Sequence, residues 1–314
     1  MQVVASEFGK RGGHVESPRS VTDVEITRIH DADYLTSIKE TAGRAVALDP
    51  DTFTSPGSFS AAYLAAGAAV TAVEHVLDSD AGTRALAMVR PPGHHAERNR
   101  AMGFCLFNNI AIAAASARAR GLSRVAVVDY DVHHGNGTQH IFEEDPHVLY
   151  VSTHQFPYYP GTGAAGEVGR GAGSAFTVNL PLEVGSVDED YQVAFSAVIL
   201  PVLAQFKPDL IIVSAGFDAH ERDPLAGMRL STDAFAAMTA ELRGVAEQHC
   251  QGRMAVVTEG GYDLQALAAS LDAVAETLNG SPPSARWPRS GVASDRGRAA
   301  VAAATRALSP HWRF

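Results

Sequence analysis

Cysteine is nearly absent from this 314-residue chain, which has only Cys105 and Cys250. Two thiols cannot supply a disulfide scaffold or a thiolate zinc site, and they fit a reducing, cytoplasmic setting. Long apolar runs are also lacking. No stretch reads as a membrane span, and the opening MQVVASEFGK has neither the apolar core nor the cleavage signal of a leader. Positive charge is in the minority: 25 Lys and Arg stand against 35 Asp and Glu, a formal charge of -10 with neutral histidines. That balance argues against nonspecific binding to nucleic acid or anionic membrane and mildly favours cationic substrates. There is no internal repeat. What the chain has in quantity is apolar content, 46%, ample for the core of a soluble globular protein, and a homo-oligomer is compatible with it.

The chain reads as one domain over 1–314, with a core at about 21–280 and a C-terminal packing segment at 281–314. Gly12, Gly13 and Pro18 mark a loop before the short run 21–28. HDADYL (30–35) is a turn entering a helix, with Asp31 or Asp33 as cap. After a polar loop at 49–58, Ser58 or Ser60 caps an Ala-rich helix that runs to Leu77. From Arg84 the signals alternate. RALAMV, RVAVV, HVLYVSTH, FTVNLP, the start of DLIIVSAGFDAH and MAVVT read as strands, while CLFNNIAIAAASARA and stretches near 191–206 and 232–248 read as helices. Beyond Gly280 the composition shifts to Pro, Arg, Ser and Ala, with a loose lead-in and a terminal helix near 298–308. Strands alternating with helices imply a mostly parallel central sheet between two helical layers, a three-layer αβα fold. Ligands in such folds sit beyond the carboxyl ends of the strands. Each unusual polar cluster of this chain falls at such an end, so clusters far apart in sequence can converge.

The reactive centre of the sequence is DYDVHHGNGT (129–138), which follows the β-branched run VAVV. Residues two apart on an extended strand end share a side, so Asp129, Asp131 and His133 can face one way. Crowded together they repel unless a cation compensates, and oxygen and nitrogen ligands without thiolate suit a catalytic zinc with one position left for water. An isolated DxDxH is as easily a solvated loop, so the remaining pieces matter. Asp218 in SAGFDAH can supply a third ligand, with His220 as its competitor. His94 and His95 in PPGHHAE could move a proton beside a metal, with Asp129 and Asn136 available to set their tautomers. Tyr262 follows two glycines and could donate to an oxyanion. Phe104 and Tyr159 flank glycine-containing loops and read equally as core packing.

Taken together, RPPGHHA, GFCLFNN, DYDVHHGNGTQ, YYPGTG, SAGFDAHERDPL and EGGYD resemble the zinc-dependent histone deacetylase family. The likeness is nearer to its class II branch, with bacterial deacetylase-like amidohydrolases and acetylpolyamine amidohydrolases. It spans about 21–280 with the motifs in family order, and it implies the arginase/deacetylase-like fold. It also implies Asp131, His133 and Asp218 as ligands of one zinc ion, His95 as general base and then acid, and His94 as a charge-stabilising neighbour bonded to Asp129. Asn136 would face His95, and Tyr262 would polarise the carbonyl. Phe104 and Tyr159 would wall a tunnel for an acyl-lysine stem, with Gly103 as backbone contact and Leu225 at the mouth. Asp51 in LDPDTF resembles a rim aspartate that receives substrate backbone. Potassium is implied at Asp129, Asp131, His133 and Ser152, and a second monovalent cation near Phe142, Asp145, Val148 and Phe176.

The sequence departs from the family between HVESP and VTDVEITRIHDADYL, where a longer helix-bearing segment that helps build the tunnel rim is missing. The reaction implied is hydrolysis of an acyl amide, on acyl-lysine peptide or a small acylated amine. Acetylpolyamine is the rival substrate, although the apolar Leu225 provides no acidic gate for a second amine. Two other readings stand beside it. One is an arginase-like ureohydrolase with two manganese ions, for which Asp223 would be an extra ligand. The other is a non-catalytic module that recognises acylated ligands.

Overall fold

A computed structural model of the chain describes residues 13–280, 287 and 294–314. Among the described residues six strands make one sheet: β1 (Arg84–Ala87), β2 (Val125–Asp129), β3 (Val148–Gln155), β4 (Thr177–Leu182), β5 (Leu210–Ala215) and β6 (Met254–Thr258). Their order is β1-β6-β5-β2-β3-β4, and every pairing is parallel. The strands are Val- and Ile-rich because both faces are buried, so they read as continuous apolar runs rather than as alternation. Successive side chains still divide between two cores. Val125, Val127, Ile212 and Val257 pack on one side, and Val128, Val151, Val213 and Val256 on the other.

The first core is covered by α1 (Asp23–Ile26), α2 (Ala32–Lys39), α3 (Ser58–Asp78) and α4 (Asn109–Ala119). The second lies under α6 (Asp188–Ala194), α7 (Leu200–Phe206), α8 (Thr232–His249), α9 (Leu264–Leu278) and α10 (Asp295–Leu308). A short helix, α5 (Asn136–Phe142), follows the polar loop after β2. Between α6 and α7 the turn Phe195–Ile199 is π-wound, just ahead of Pro201, whose missing N–H removes a regular helical bond.

Local chemistry explains most boundaries that differ from expectation. The helix expected from Cys105 starts only at Asn109, because the Asn108 side chain caps it by accepting from Ala111 N at 2.9 Å. Asp31 occupies the N-cap of α2 without a side-chain cap bond, and Gly57, not Ser58 or Ser60, is the N-cap of α3. β1 stops at Ala87, two residues short of RALAMV. Helices α5 and α9 were not foreseen; α9 is started by Asp263, which accepts from Gln265 N and Ala266 N. The 21-residue α3 contains an 18-residue window of mean hydropathy 1.3 and so does reach the length and apolarity of a membrane span, contrary to the expectation that no stretch would. Half of that window is buried, its Ala and Val residues packing into the first core. The lead-in expected before the terminal helix lies largely outside the described residues, as do Gly12 and the opening MQVVASEFGK, whereas α10 buries Ala300, Ala304 and Leu308 in the second core.

From β2 the chain steps outward through β3 and β4, then returns to β5 on the other flank of β2 and continues to β6. The carboxyl ends of β2 and β5 therefore flank the point where the winding reverses. A crevice is expected there.

Candidate metal and catalytic site

The loops leaving β2 and β5 bring Asp131, His133 and Asp218 together, with one ligand atom from each lying within 4.8 Å of the others. His133 Nδ1 is 3.2 Å from Asp131 Oδ1 and 3.1 Å from Asp218 Oδ2. Backbone donors hold the carboxylates in place. Asp131 Oδ1 accepts from His133 N and Oδ2 from Gly260 N, both at 2.9 Å, and Asp218 Oδ1 accepts from Val132 N at 2.9 Å. A Cβ on Gly216 or Gly260 would overlap these carboxylates, so the cradle needs glycine at both positions. Burial disfavours a proton on His133, but its bonds to Asp131 and Asp218 outweigh this and push the ring up to about 11. A pocket that negative suits a divalent cation. Two oxygens and one imidazole nitrogen, with no thiolate, are a donor set that fits zinc.

Asp129 is not a fourth member of that face. β2 ends at Asp129, so strand alternation does not carry on to Asp131 and His133. Asp129 instead lies behind the cluster, accepting from Asp131 N at 3.1 Å and Tyr150 Oη at 3.2 Å and meeting His94 Nδ1 at 3.1 Å. His220, the competing ligand, is turned away: its Nδ1 accepts from Arg222 N and its Nε2 meets Thr232 Oγ1. Asp223 is equally committed elsewhere, accepting from the backbone N–H of Leu225, Tyr262 and Asp263. This leaves the two-manganese arrangement without its extra carboxylate.

The two adjacent histidines have opposite electrostatics. Burial lowers His94, but Asp131 and Asp129 outweigh it and push the ring up to about 10. For His95, burial and then repulsion from His94 and His133 hold the ring well below its ordinary value, so it is neutral near pH 7. His95 Nδ1 meets Asn136 Oδ1 at 2.8 Å. One ring thus carries positive charge while the other has a lone pair to give. Burial, followed by Asp218 and Asp131, raises the Tyr262 phenol, which keeps its proton as a donor. Burial raises both ligand carboxyls; His94 and His133 then draw Asp131 low, while repulsion from Asp131 leaves Asp218 high.

A cavity of about 190 Å³ opens onto these groups, and it is lined by every expected substrate residue: Asp51, Gly103, Phe104, Tyr159 and Leu225. Larger clefts exist, one of 600 Å³ along β1, but the ligand triad is not in their walls. Gly103 has a φ of +56°, and a Cβ there would run into the His95 ring. Its N–H is taken by Asp51 Oδ1 at 3.3 Å. Tyr158, absent from the sequence reading, stacks on His133 with centroids 5.6 Å apart, and its hydroxyl donates to Leu225 O. Its position beside Tyr159 in YYPGTG was the available signal.

Glu259 was also missed, although EGGYD contains it. Its buried carboxylate accepts from Gly93 N at 2.6 Å, His94 N at 3.1 Å and Ser214 Oγ at 3.2 Å, tying the histidine loop to the end of β6. Burial pushes this carboxyl up to about 7, against the pull of His94. Ser152 is aligned with Asp129 across β2 and β3, and its hydroxyl pairs with His154 Nδ1 at 2.9 Å. Near the second expected cation position, the carbonyls of Phe142, Asp145 and Phe176 accept from Asp145 N, Val148 N and Tyr150 N.

A histone deacetylase domain profile matches residues 3–278, starting earlier than the motifs alone mark. A histone deacetylase-like amidohydrolase of Pseudomonas aeruginosa is 44% identical over 280 residues, 87% of this chain and 73% of the relative. The human polyamine deacetylase HDAC10 is 40% identical over 317 residues, 95% of this chain and 46% of the relative. Among solved structures, a crystal structure of the HDA15 HD domain superposes with a TM-score of 0.90 at 36% identity, over 99% of this chain and 86% of that one. The chain spans from about half to about three quarters of the length of such relatives. A shared profile over most of the residues and a shared arrangement of strands lead to one assignment: this chain belongs to the histone deacetylase domain family.

Proposed function

We propose that this chain hydrolyses an N-acyl amide of acyl-lysine or a small acylated amine, releasing a free amine and the acyl group as its carboxylate, acetate where the group is acetyl. The observation that carries the reading is a cluster of two buried carboxylates and a part-buried imidazole, Asp131, Asp218 and His133, that shares one cavity with a neutral imidazole and a protonated phenol. Asp131, His133 and Asp218 would hold zinc, which when bound lowers the pKa of water and polarises an acyl carbonyl. His95 accepts the proton of the attacking water and returns it to the leaving nitrogen. His94, kept positive by Asp131 and Asp129, offsets the negative charge that builds nearby. Tyr262, which keeps its proton, donates a hydrogen bond from its hydroxyl to the developing oxyanion. Phe104 and Tyr159 hold the apolar stem of the substrate, and Asp51 stands at the rim with its carboxylate facing the Gly103 backbone. A structural potassium at Asp129, Asp131, His133 and Ser152 belongs to the same reading.

Leu225 lines the mouth as an apolar, part-exposed side chain, which supports acyl-lysine over a substrate with a second cationic amine. The test is a steady-state comparison of an acetyl-lysine peptide, acetylputrescine and a small acetamide with zinc-loaded protein. The peptide is expected to give the highest kcat/KM. Preference for acetylputrescine would move the assignment to polyamines, the substrate in the human relative's name. Tight binding of an acyl-lysine analogue without turnover of any of the three would mark a binding module.

A further inference from the structure

His95 can act as a base toward the cavity only if its proton sits on Nδ1, leaving the Nε2 lone pair free. Its Nδ1 partner is the side-chain amide of Asn136, and an amide can present either oxygen or nitrogen. What surrounds the far end of that amide decides which. Asn136 Nδ2 lies 2.5 Å from Glu97 Oε1, 3.4 Å from His95 O and 3.4 Å from Met102 Sδ. All three are acceptors, so nitrogen must occupy that end and oxygen must face His95. The three are not equal. The carbonyl and sulfur contacts are long, and the sulfur already receives the Arg100 guanidinium at 3.2 Å. The Glu97 bond is short and charge-assisted.

Glu97 is itself held. His140 Nδ1, on α5, is 2.9 Å from Oε1 and 3.1 Å from Oε2. Glu97 does not line the cavity, so it cannot act on substrate directly. With a flipped amide, Asn136 oxygen would oppose the Glu97 carboxylate, and its N–H would demand a lone pair on His95 Nδ1. The proton would then move to Nε2, where the ring could donate to the cavity but not accept. We propose that Glu97 is a positioning residue that fixes the Asn136 amide and through it the Nδ1–H tautomer of His95. This rests on the base role given to His95 above, and the tautomer itself can be read without any turnover.

The experiment records imidazole ¹⁵N shifts at pH 8 for zinc-loaded wild type, Glu97→Leu and Glu97→Gln, with His95 assigned by its loss in His95→Gln. In the wild type the His95 Nε2 resonance is expected in the pyridine-type range and Nδ1 in the pyrrole-type range. Glu97→Leu should average or invert that pattern and lower kcat on the order of tenfold with KM unchanged, the usual size of an effect exerted through a second residue. Gln keeps an oxygen for Asn136 and an amide N–H for His140, so Glu97→Gln should restore both the shifts and most of the rate. Wild-type shifts in Glu97→Leu, or loss in the Gln variant equal to that in the Leu variant, would overturn the proposal. If no variant, the wild type included, turns over a substrate, the base role fails while the ¹⁵N pattern still decides what Glu97 does.

Discussion

Tyr262 and Gly103 meet the same cavity for different reasons, and their substitutions should fail differently. The Tyr262 hydroxyl is offered only as a donor, while its backbone N–H is held by Asp223 at 2.7 Å. Tyr262→Phe therefore leaves the loop and the triad intact. Removing one oxyanion donor costs roughly a hundredfold or more in kcat, so kcat should fall by that order while zinc content, measured by atomic absorption, stays at the wild-type level. Near-normal turnover would remove Tyr262 from the chemistry. Gly103→Ala instead places a methyl on a positive-φ residue against the His95 ring. The ring or the loop must shift, so activity should drop together with thermal stability, by about 1 kcal/mol or more for the backbone alone. The cluster of Asp131, His133 and Asp218 with His94, His95 and Tyr262 was legible in the sequence only because six motifs occur together; each alone reads as well as a loop, a cap or core packing. The roles of Glu259 and Asp223 in holding backbone N–H groups were not legible, because a carboxylate that serves the backbone looks in sequence like any other acid.

At the level of elements, the strands were legible because β-branched runs bounded by polar loops have few other readings; α5 and α9 were not. α5 is only seven residues long, and α9 follows a motif that draws attention to Tyr262 rather than to the Asp263 cap beside it. The start of α4 shows a further device invisible in sequence. His30, from the loop before α2, accepts from Asn108 N at 3.0 Å through Nε2 and faces Arg98 O through Nδ1 at 3.3 Å. A ring that accepts on one side and donates on the other must be neutral. Burial accordingly lowers His30 to about 4 from an ordinary 6.5, only partly offset by backbone carbonyls. Above pH 6.5 the ring is neutral in both folded and unfolded chains and its contribution is complete. As pH falls from 6.5 toward 4, the unfolded chain takes up a proton that the fold refuses, and stability is lost. The loss reaches roughly 3 kcal/mol for a shift of this size. In His30→Gln, which can still accept from Asn108 N, the drop in urea midpoint between pH 7 and pH 4 should be smaller than in the wild type. An unchanged drop would mean that other buried rings carry it.

For the whole molecule, what matters is that the three clustered side chains Asp131, His133 and Asp218 come from two loops on either side of the reversal in winding, with Gly260 after β6 closing the set. Parallel strand ends put those loops side by side, a consequence of topology that motif order alone does not show. Holding Asp131 and Asp218 together without a cation sets two buried carboxylates against each other. A cation that binds only this assembled cluster stabilises the entire sheet, because the unfolded chain has no such cluster. At a hundredfold excess of zinc over its dissociation constant the gain is about 2.7 kcal/mol, which for a domain of this size corresponds to a rise in melting temperature of several degrees. Metal-stripped wild type titrated with zinc should show that rise by calorimetry. Asp218→Ala, which removes one ligand from the loop after β5, should lose most of it while keeping the far-ultraviolet circular dichroism of the fold. His220→Ala, whose ring faces Thr232 rather than the cluster, should keep the rise in full. A wild type whose melting point zinc leaves unmoved would mean that the cluster holds no such ion, however well its donor atoms are placed.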